Sequence, residues 1–250
     1  MQHAAALGGG KVDEIDLRVR PLQFRPRAHE GGALAGADGK RAAPPDQVVE
    51  ALGARVALVI QDGRTALGQP DTVVETQGRE WRMARVGAIP ANEIEEAALC
   101  RIVFVCTGNT CRSPLAEGLC KKLLADKMGC TSADLRRHGF CVQSAGLAAM
   151  MGAEAAPEAV TASRGFDVDL SGHQSQSLTV EMLLHADRLY AMTGAHLRML
   201  DGIRGVTPRL LSPAGEDVAD PIGAPADVYR DCARQLYSYL EEILPELLEC

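Results

Sequence analysis

The apolar run Ile102-Val103-Phe104-Val105 ends in Cys106-Thr107-Gly108-Asn109-Thr110-Cys111-Arg112-Ser113-Pro114, and Leu115, Leu119 and Leu123 follow at helical spacing. Four apolar residues in a row read as a buried strand, and leucines four apart read as one face of a helix. A strand joined to a helix by so short a loop starts a βα unit. That restricts the fold to helices packed on a mostly parallel sheet. The loop also carries chemistry. A short turn can wrap its backbone N–H groups around one phosphate. The helix start behind it adds unpaired donors and partial positive charge, and the Arg112 fork can hold two phosphate oxygens. In that field the Cys106 thiolate is the candidate nucleophile.

The rest of the chain divides around this unit. Residues 1–45 carry Gly8-Gly9-Gly10, Gly31-Gly32, Pro44-Pro45 and many alanines, and read as irregular or poorly ordered. Residues 46–98 are better patterned. Asp46 is a candidate cap for a helix over 47–53, Val56 to Ile60 is an apolar strand, and Asp62-Gly63 is a turn signal. Further strands are expected at Thr72 to Thr76 and Arg82 to Val86, and a short helix over 90–98. From Arg101, strands are expected at 101–106, near 140–144, at 187–192 and at 208–211. Helices are expected at about 114–127, 155–164, 179–184, 194–200 and 225–243. In a parallel sheet of this kind the ligand site lies at the C-terminal strand ends, where the Cys106 loop sits.

Charge and composition exclude several classes. The chain carries −7, and residues 101–250 hold 14 basic against 19 acidic side chains. A nucleic-acid reader needs a basic excess, so nucleic-acid binding is not expected. No stretch of about 18 apolar residues indicates a membrane span, and the N-terminus lacks the pattern of a secretion signal. Eight cysteines in 250 residues are too few for a dense disulfide framework, and a reducing cytoplasm is the expected compartment. Cys100, Cys120, Cys130, Cys141, Cys232 and Cys250 lack metal-ligand spacing. They read as structural.

The stretch Val105 to Pro114 resembles the signature of low-molecular-weight protein tyrosine phosphatases. Ser144-Ala145-Gly146, the run Ala186-Asp187 through Ala191-Met192-Thr193, and Asp220-Pro221 ahead of the last helix agree in order and spacing. The resemblance covers about residues 101–246. It implies an α/β fold with a four-stranded parallel doubly wound sheet, preceded here by an N-terminal α+β fragment. It also implies roles. Cys106 attacks phosphorus and forms a phosphocysteine. Arg112 and the loop Thr107, Gly108, Asn109, Thr110, Cys111 and Ser113 hold the phosphate. Asp220 protonates the leaving group and then activates water. Asn109 holds the loop conformation, and Ser113 hydrogen-bonds the thiolate. No metal and no cofactor is implied, and the partner is a phosphorylated protein. Cys111 reads either as packing or as a partner for a reversible disulfide with Cys106. His173 reads either as a contact to the loop or as a surface residue.

Substrate choice stays open between phosphotyrosine and phosphoarginine. Phosphotyrosine-preferring members tend to carry aromatics after the Asp-Pro, whereas this chain has Ile222 and Gly223. Thr110 is similar to the residue of the protein-arginine-phosphatase branch, although that branch also usually has an aromatic at the Ile222 position. Tyr229 and Phe140 are candidates to supply the missing ring. Two alternatives remain: a thioredoxin-coupled arsenate reductase, or a phosphate-binding scaffold without turnover. The first needs a relay pair of cysteines, and none occurs between Cys141 and Cys232.

Residues 46–98 resemble the C-terminal part of the YrdC/Sua5 domain, which makes threonylcarbamoyl-AMP for tRNA modification. The matching residues are Val48 to Ile60, Asp62-Gly63, Gly68, Asp71-Thr72-Val73-Val74 and Arg85-Val86-Gly87-Ala88-Ile89. The domain's nucleotide-binding half is missing, so the resemblance implies a remnant without synthase activity, or a packing module.

Overall fold

A computed structural model describes residues 70–77, 80–202 and 207–250. The expected irregular segment 1–45, helix 47–53, strand 56–60 and the Asp62-Gly63 turn lie outside these residues. The chain divides into two compact units, Met1–Ala98 and Leu99–Cys250.

In the first unit, strands β1 (Val73–Gln77) and β2 (Glu80–Arg85) pair antiparallel, with Val74 opposite Met83 and Thr76 opposite Trp81. Both lie within a residue or two of the expected spans. Glu75 and Arg82 stand directly opposite each other and form an ion pair. This is the favourable arrangement of charges across a hairpin. The Thr72 hydroxyl ties the strand to the segment after β2: it donates to the Ile89 carbonyl at 2.6 Å and accepts from the Gly87 and Ile89 N–H groups. Gly87 has to be glycine, because a Cβ there would stand 2.1 Å from the Pro70 carbonyl oxygen. Helix α1 (Ala91–Ala97) follows.

The second unit is built on four parallel strands: β3 (Cys100–Cys106), β4 (Phe140–Gly146), β5 (Arg188–Ala191) and β6 (Arg209–Leu210). Their order is β4-β3-β5-β6. The doubly wound expectation holds. Strand β3 is central and hydrogen-bonded on both sides, so both of its faces need cover. Alternation divides the task. Ile102, Phe104 and Cys106 enter one core with helices α2 (Arg112–Met128), α3 (Pro157–Arg164) and α6 (Ala226–Leu248). Val103 and Val105 enter a smaller core with Leu183 of α4 (Val180–His185) and Leu200 of α5 (Gly194–Leu200). Leu115, Leu119, Leu124, Leu236 and Leu240 are fully buried. Each contributes roughly 1.5–3 kcal/mol of hydrophobic stabilisation.

Three details differ from the sequence expectation. Helix α2 starts at Arg112 rather than near 114, which brings the end of the loop into its first turn. A 3-10 helix, Ser132–His138, fills the connection to β4. Helix α6 runs past the expected end at 243 and through Pro245 to Leu248. The missing N–H of Pro245 removes one helical hydrogen bond. Burial of Leu247 beyond it supplies the compensating contact. Cys100 at the start of β3 is disulfide-bonded to Cys250, a structural use of both cysteines whose pairing the sequence reading did not assign.

Candidate active site

The loop from Cys106 to Arg112 leaves the C-terminal end of β3 and closes directly onto α2. Gly146, opposite Cys106 in register, lets the two segments approach: a Cβ there would lie 2.5 Å from the Thr107 carbonyl oxygen. The loop is pinned from outside by backbone bonds, Ala148 N–H to Thr107 O and Ala156 N–H to Thr110 O, both at 2.9 Å.

Asn109 is the pivot. Its φ is +56°, a left-handed conformation that asparagine tolerates better than most residues. It is fully buried, and its side chain is saturated. Nδ2 donates to Ser113 Oγ at 2.9 Å and to Ser144 Oγ at 2.8 Å, while Oδ1 accepts the Gln176 N–H at 2.8 Å. His173 Nε2 donates to the Asn109 carbonyl at 2.8 Å, so this histidine does contact the loop.

The turn at Asn109 aims donors at sulfur. Cys106 Sγ accepts the Asn109 N–H at 3.2 Å and lies 3.0 Å from Ser113 Oγ. Ser113 Oγ accepts from Asn109, and its own O–H has two acceptors within reach, the Cys106 sulfur at 3.0 Å and the Ala145 carbonyl at 3.4 Å. Cys106 is 3% exposed, so these donors act where water screens them little.

Arg112, 5% exposed, reaches from the first turn of α2 to the segment 218–220. NH1 donates to the Val218 carbonyl at 3.1 Å and NH2 to Asp220 Oδ2 at 2.5 Å. Its buried Nε–H has no acceptor among the described residues. Asp220 is partly exposed, and its Oδ1 accepts the Ile222 N–H at 3.3 Å. The structure therefore joins Arg112, at the end of the loop that begins at Cys106, to Asp220, although the two stand 108 positions apart in the sequence. Cys111 is buried, with Sγ 3.5 Å from the Tyr229 hydroxyl and 3.7 Å from Thr110 Oγ1. It is a free thiol in this structure. Burial and the Cys111 contact push the Tyr229 hydroxyl upward, and burial pushes the nearby Cys232 thiol up to about 12. Both therefore stay protonated at neutral pH.

Ile222 is 69% exposed. The two aromatic candidates do not substitute for it. Tyr229 is 1% exposed, and Phe140 is buried opposite Cys100, at the far end of the strand and about 20 Å from Cys106. Sequence reading also missed His196. Its ring bridges Thr107 Oγ1 at 2.9 Å and Thr193 Oγ1 at 3.0 Å. Burial, then the Arg112 charge, lowers its pKa. Thr193 caps α5, so the cap and the loop share one histidine. No motif signals such a residue. Among the described residues, one group of three possible metal ligands stands close together, Cys100, Asp187 and Cys250. Two of these are taken by the disulfide.

Relatives share both the frame and the loop-bearing domain. A protein-arginine-phosphatase of Bacillus subtilis is 33% identical over 153 residues, covering 58% of this chain and 95% of that protein. The low molecular weight protein-tyrosine-phosphatase PtpB of Staphylococcus haemolyticus is 34% identical over 146 residues, covering 54% and 91%. Among solved structures, a cysteine-to-serine mutant of the YwlE arginine phosphatase with a phosphorylated active-site serine superposes with a TM-score of 0.52. It is 33% identical and covers 59% of this chain and 95% of its own. The family model described as low molecular weight phosphotyrosine protein phosphatase matches residues 101–249, which are the strands, the loop and the acid-bearing segment just described; the chain belongs to that family.

Proposed function

We propose that residues 101–250 form a cysteine-dependent protein phosphatase that works through a phosphocysteine. The observation that carries this reading is the Cys106 sulfur at the base of the loop, met by the Asn109 N–H and the Ser113 hydroxyl, with Arg112 at the loop's other end bound to Asp220. The thiolate attacks phosphorus in line. An S–P bond forms as the bond to the leaving group breaks, and Asp220 gives the leaving atom its proton. Arg112 and the loop donors at 107–113 stabilise the transferring group, whose charge spreads over its oxygens. Water then attacks phosphorus and gives its proton to Asp220. The S–P bond breaks and the thiolate returns to its two donors. This chemistry needs no metal, because the guanidinium and loop dipoles supply the positive charge.

Phosphoarginine is the substrate we favour over phosphotyrosine. Its support is Thr110 in the loop and the similarity to protein-arginine-phosphatases. For residues 46–98 we retain the reading of a YrdC/Sua5-like remnant without synthase activity, supported by the sequence resemblance alone. No described helix is long and apolar enough to cross a membrane. A reducing cytoplasm fits the free Cys106 and Cys111 thiols, whereas the Cys100–Cys250 bond is uncommon there.

The test is turnover of p-nitrophenyl phosphate in EDTA. Wild type should be active and Cys106→Ser inactive, since a hydroxyl is a poor nucleophile at neutral pH. A wild type without turnover, or one that works only with an added divalent ion, would overturn the reading.

A further inference from the structure

At the end of the sheet opposite the loop, three side chains of metal-binding type meet. Cys100 opens β3, Asp187 directly precedes β5, and Cys250 follows α6. One ligand atom from each, two sulfurs and a carboxylate oxygen, lies within 4.8 Å of the others. In this structure the two sulfurs are joined as a disulfide. We propose that the same three residues form a zinc site once that bond is reduced, so that the ion replaces the disulfide as the link between the end of α6 and the start of β3. The proposal is independent of the phosphatase reading.

The donor set fits the ion. Two thiolates and a carboxylate are ordinary ligands of a tetrahedral Zn²⁺, with water in the fourth position. Thiolates also select zinc over harder cations such as magnesium and calcium. With Zn–S bonds of about 2.3 Å, two sulfurs on one tetrahedral ion stand about 3.8 Å apart. Cα atoms 5.8 Å apart are compatible with that separation once the S–S bond has opened.

The backbone around the site is held by more than the disulfide. The Cys100 N–H donates to the Gly139 carbonyl at 2.7 Å, and the Cys250 N–H to the Leu247 carbonyl at 3.3 Å. Leu247 is fully buried, so it anchors the last turn beside β3. Asp187 is fixed to the residue after Cys100. Its N–H donates to the Arg101 carbonyl at 2.8 Å, and its Oδ2 accepts the Arg101 N–H at 2.9 Å. A hydrogen bond of this kind orients a ligating carboxylate. It is compatible with metal binding, because a carboxylate has about four lone-pair sites. Cys250 is exposed, which gives the ion a way in.

The exchange balances. One thiolate of a dithiol reductant attacks a sulfur of the Cys100–Cys250 bond and forms a mixed disulfide. Its second thiolate then closes the reductant's own disulfide, so two electrons pass to the protein and two thiols remain. Zn²⁺ binds these as thiolates and releases two protons. A reducing compartment, where the disulfide is uncommon, favours the zinc form.

The experiment uses the full chain, reduced with a phosphine and stripped of metal, with Co²⁺ as the spectroscopic probe and Zn²⁺ as its competitor. Reduced wild type should bind one cobalt with a thiolate-to-cobalt charge-transfer band, and zinc should displace it with a Kd of about 1 μM or lower. The oxidised chain should show no band. Cys250→Ser, a change at an exposed position, should abolish the band. Asp187→Asn should weaken zinc at least about tenfold. Cys106→Ser, which removes the loop thiolate, should keep the band. In differential scanning fluorimetry, zinc at about 100 times its Kd should raise the Tm of reduced wild type by about 8 °C and that of Cys250→Ser by less than about 2 °C. Any one of four results overturns the proposal: no band in reduced wild type, a full band in Cys250→Ser, loss of the band in Cys106→Ser, or unchanged zinc affinity in Asp187→Asn.

Discussion

Removing the Cys100–Cys250 bond should lower thermal stability far more than it lowers activity. The two residues lie 150 apart in sequence. On the chain-entropy relation, closing a loop of that length destabilises the unfolded chain by about 5 kcal/mol. The unit Leu99–Cys250, at about 2.1 cal/mol/K of unfolding entropy per residue, loses about 0.3 kcal/mol per degree near its midpoint. The shift in Tm is then about 15 °C as an upper limit, and smaller if the reduced unfolded chain stays compact. Cys250 is exposed and Cys100 buried at the edge of the core, so Cys250→Ser removes the bond without opening a cavity. Activity at room temperature should persist, because Cys100 stands at the opposite end of β3 from Cys106, about 20 Å away. The assay is differential scanning fluorimetry of wild type, wild type in dithiothreitol, and Cys250→Ser. The last two should coincide and melt well below the first. If all three melt within about 2 °C, a shift worth under about 1 kcal/mol for a unit of this size, the bond is not stabilising the fold in the way proposed.

Asp220→Asn should lower kcat by roughly 10²–10⁴-fold with a poor leaving group and by much less with a good one; equal losses would remove Asp220 from the acid role. Thr110→Ile should depress phosphoarginine-peptide turnover more than phosphotyrosine-peptide turnover. A wild type that prefers phosphotyrosine more than about tenfold, with no change in Thr110→Ile, would refute the arginine preference. His196 gives a pH signature. Its lowered pKa means that the folded chain binds the proton less well than the unfolded one. The stability of the neutral ring is therefore complete above about pH 6.5 and is lost as pH falls below it. The Tm advantage of wild type over His196→Gln should narrow from about pH 7.5 to about pH 5, and a constant gap would contradict it.

Local pattern carried most of the frame of the second unit. The apolar run before Cys106 was bound to be a two-faced strand, and Leu115, Leu119 and Leu123 to be a buried helix face. The nucleophile, the arginine and the acid were legible because loop and Asp-Pro chemistry is compact in sequence. The support behind them was not. Gln176 and His196 reach the loop through hydrogen bonds between segments distant in sequence, and one polar side chain outside a motif has no periodicity to betray it. The Cys100–Cys250 bond spans nearly the whole unit, so no spacing rule reaches it. The extension of α6 past Pro245 depends on where Leu247 is buried, which is a tertiary fact.

The central claim is that phosphate passes through the sulfur of Cys106. Its most direct measurement is mass spectrometry of peptides from wild type quenched in acid during turnover of p-nitrophenyl phosphate, with Asp220→Asn as a companion in which hydrolysis of the intermediate is slowed. One phosphoryl group is expected on the peptide carrying Cys106, more of it in Asp220→Asn, and none in Cys106→Ser. A phosphoryl group on another residue, or turnover by wild type with no adduct on Cys106 in either protein, would contradict it.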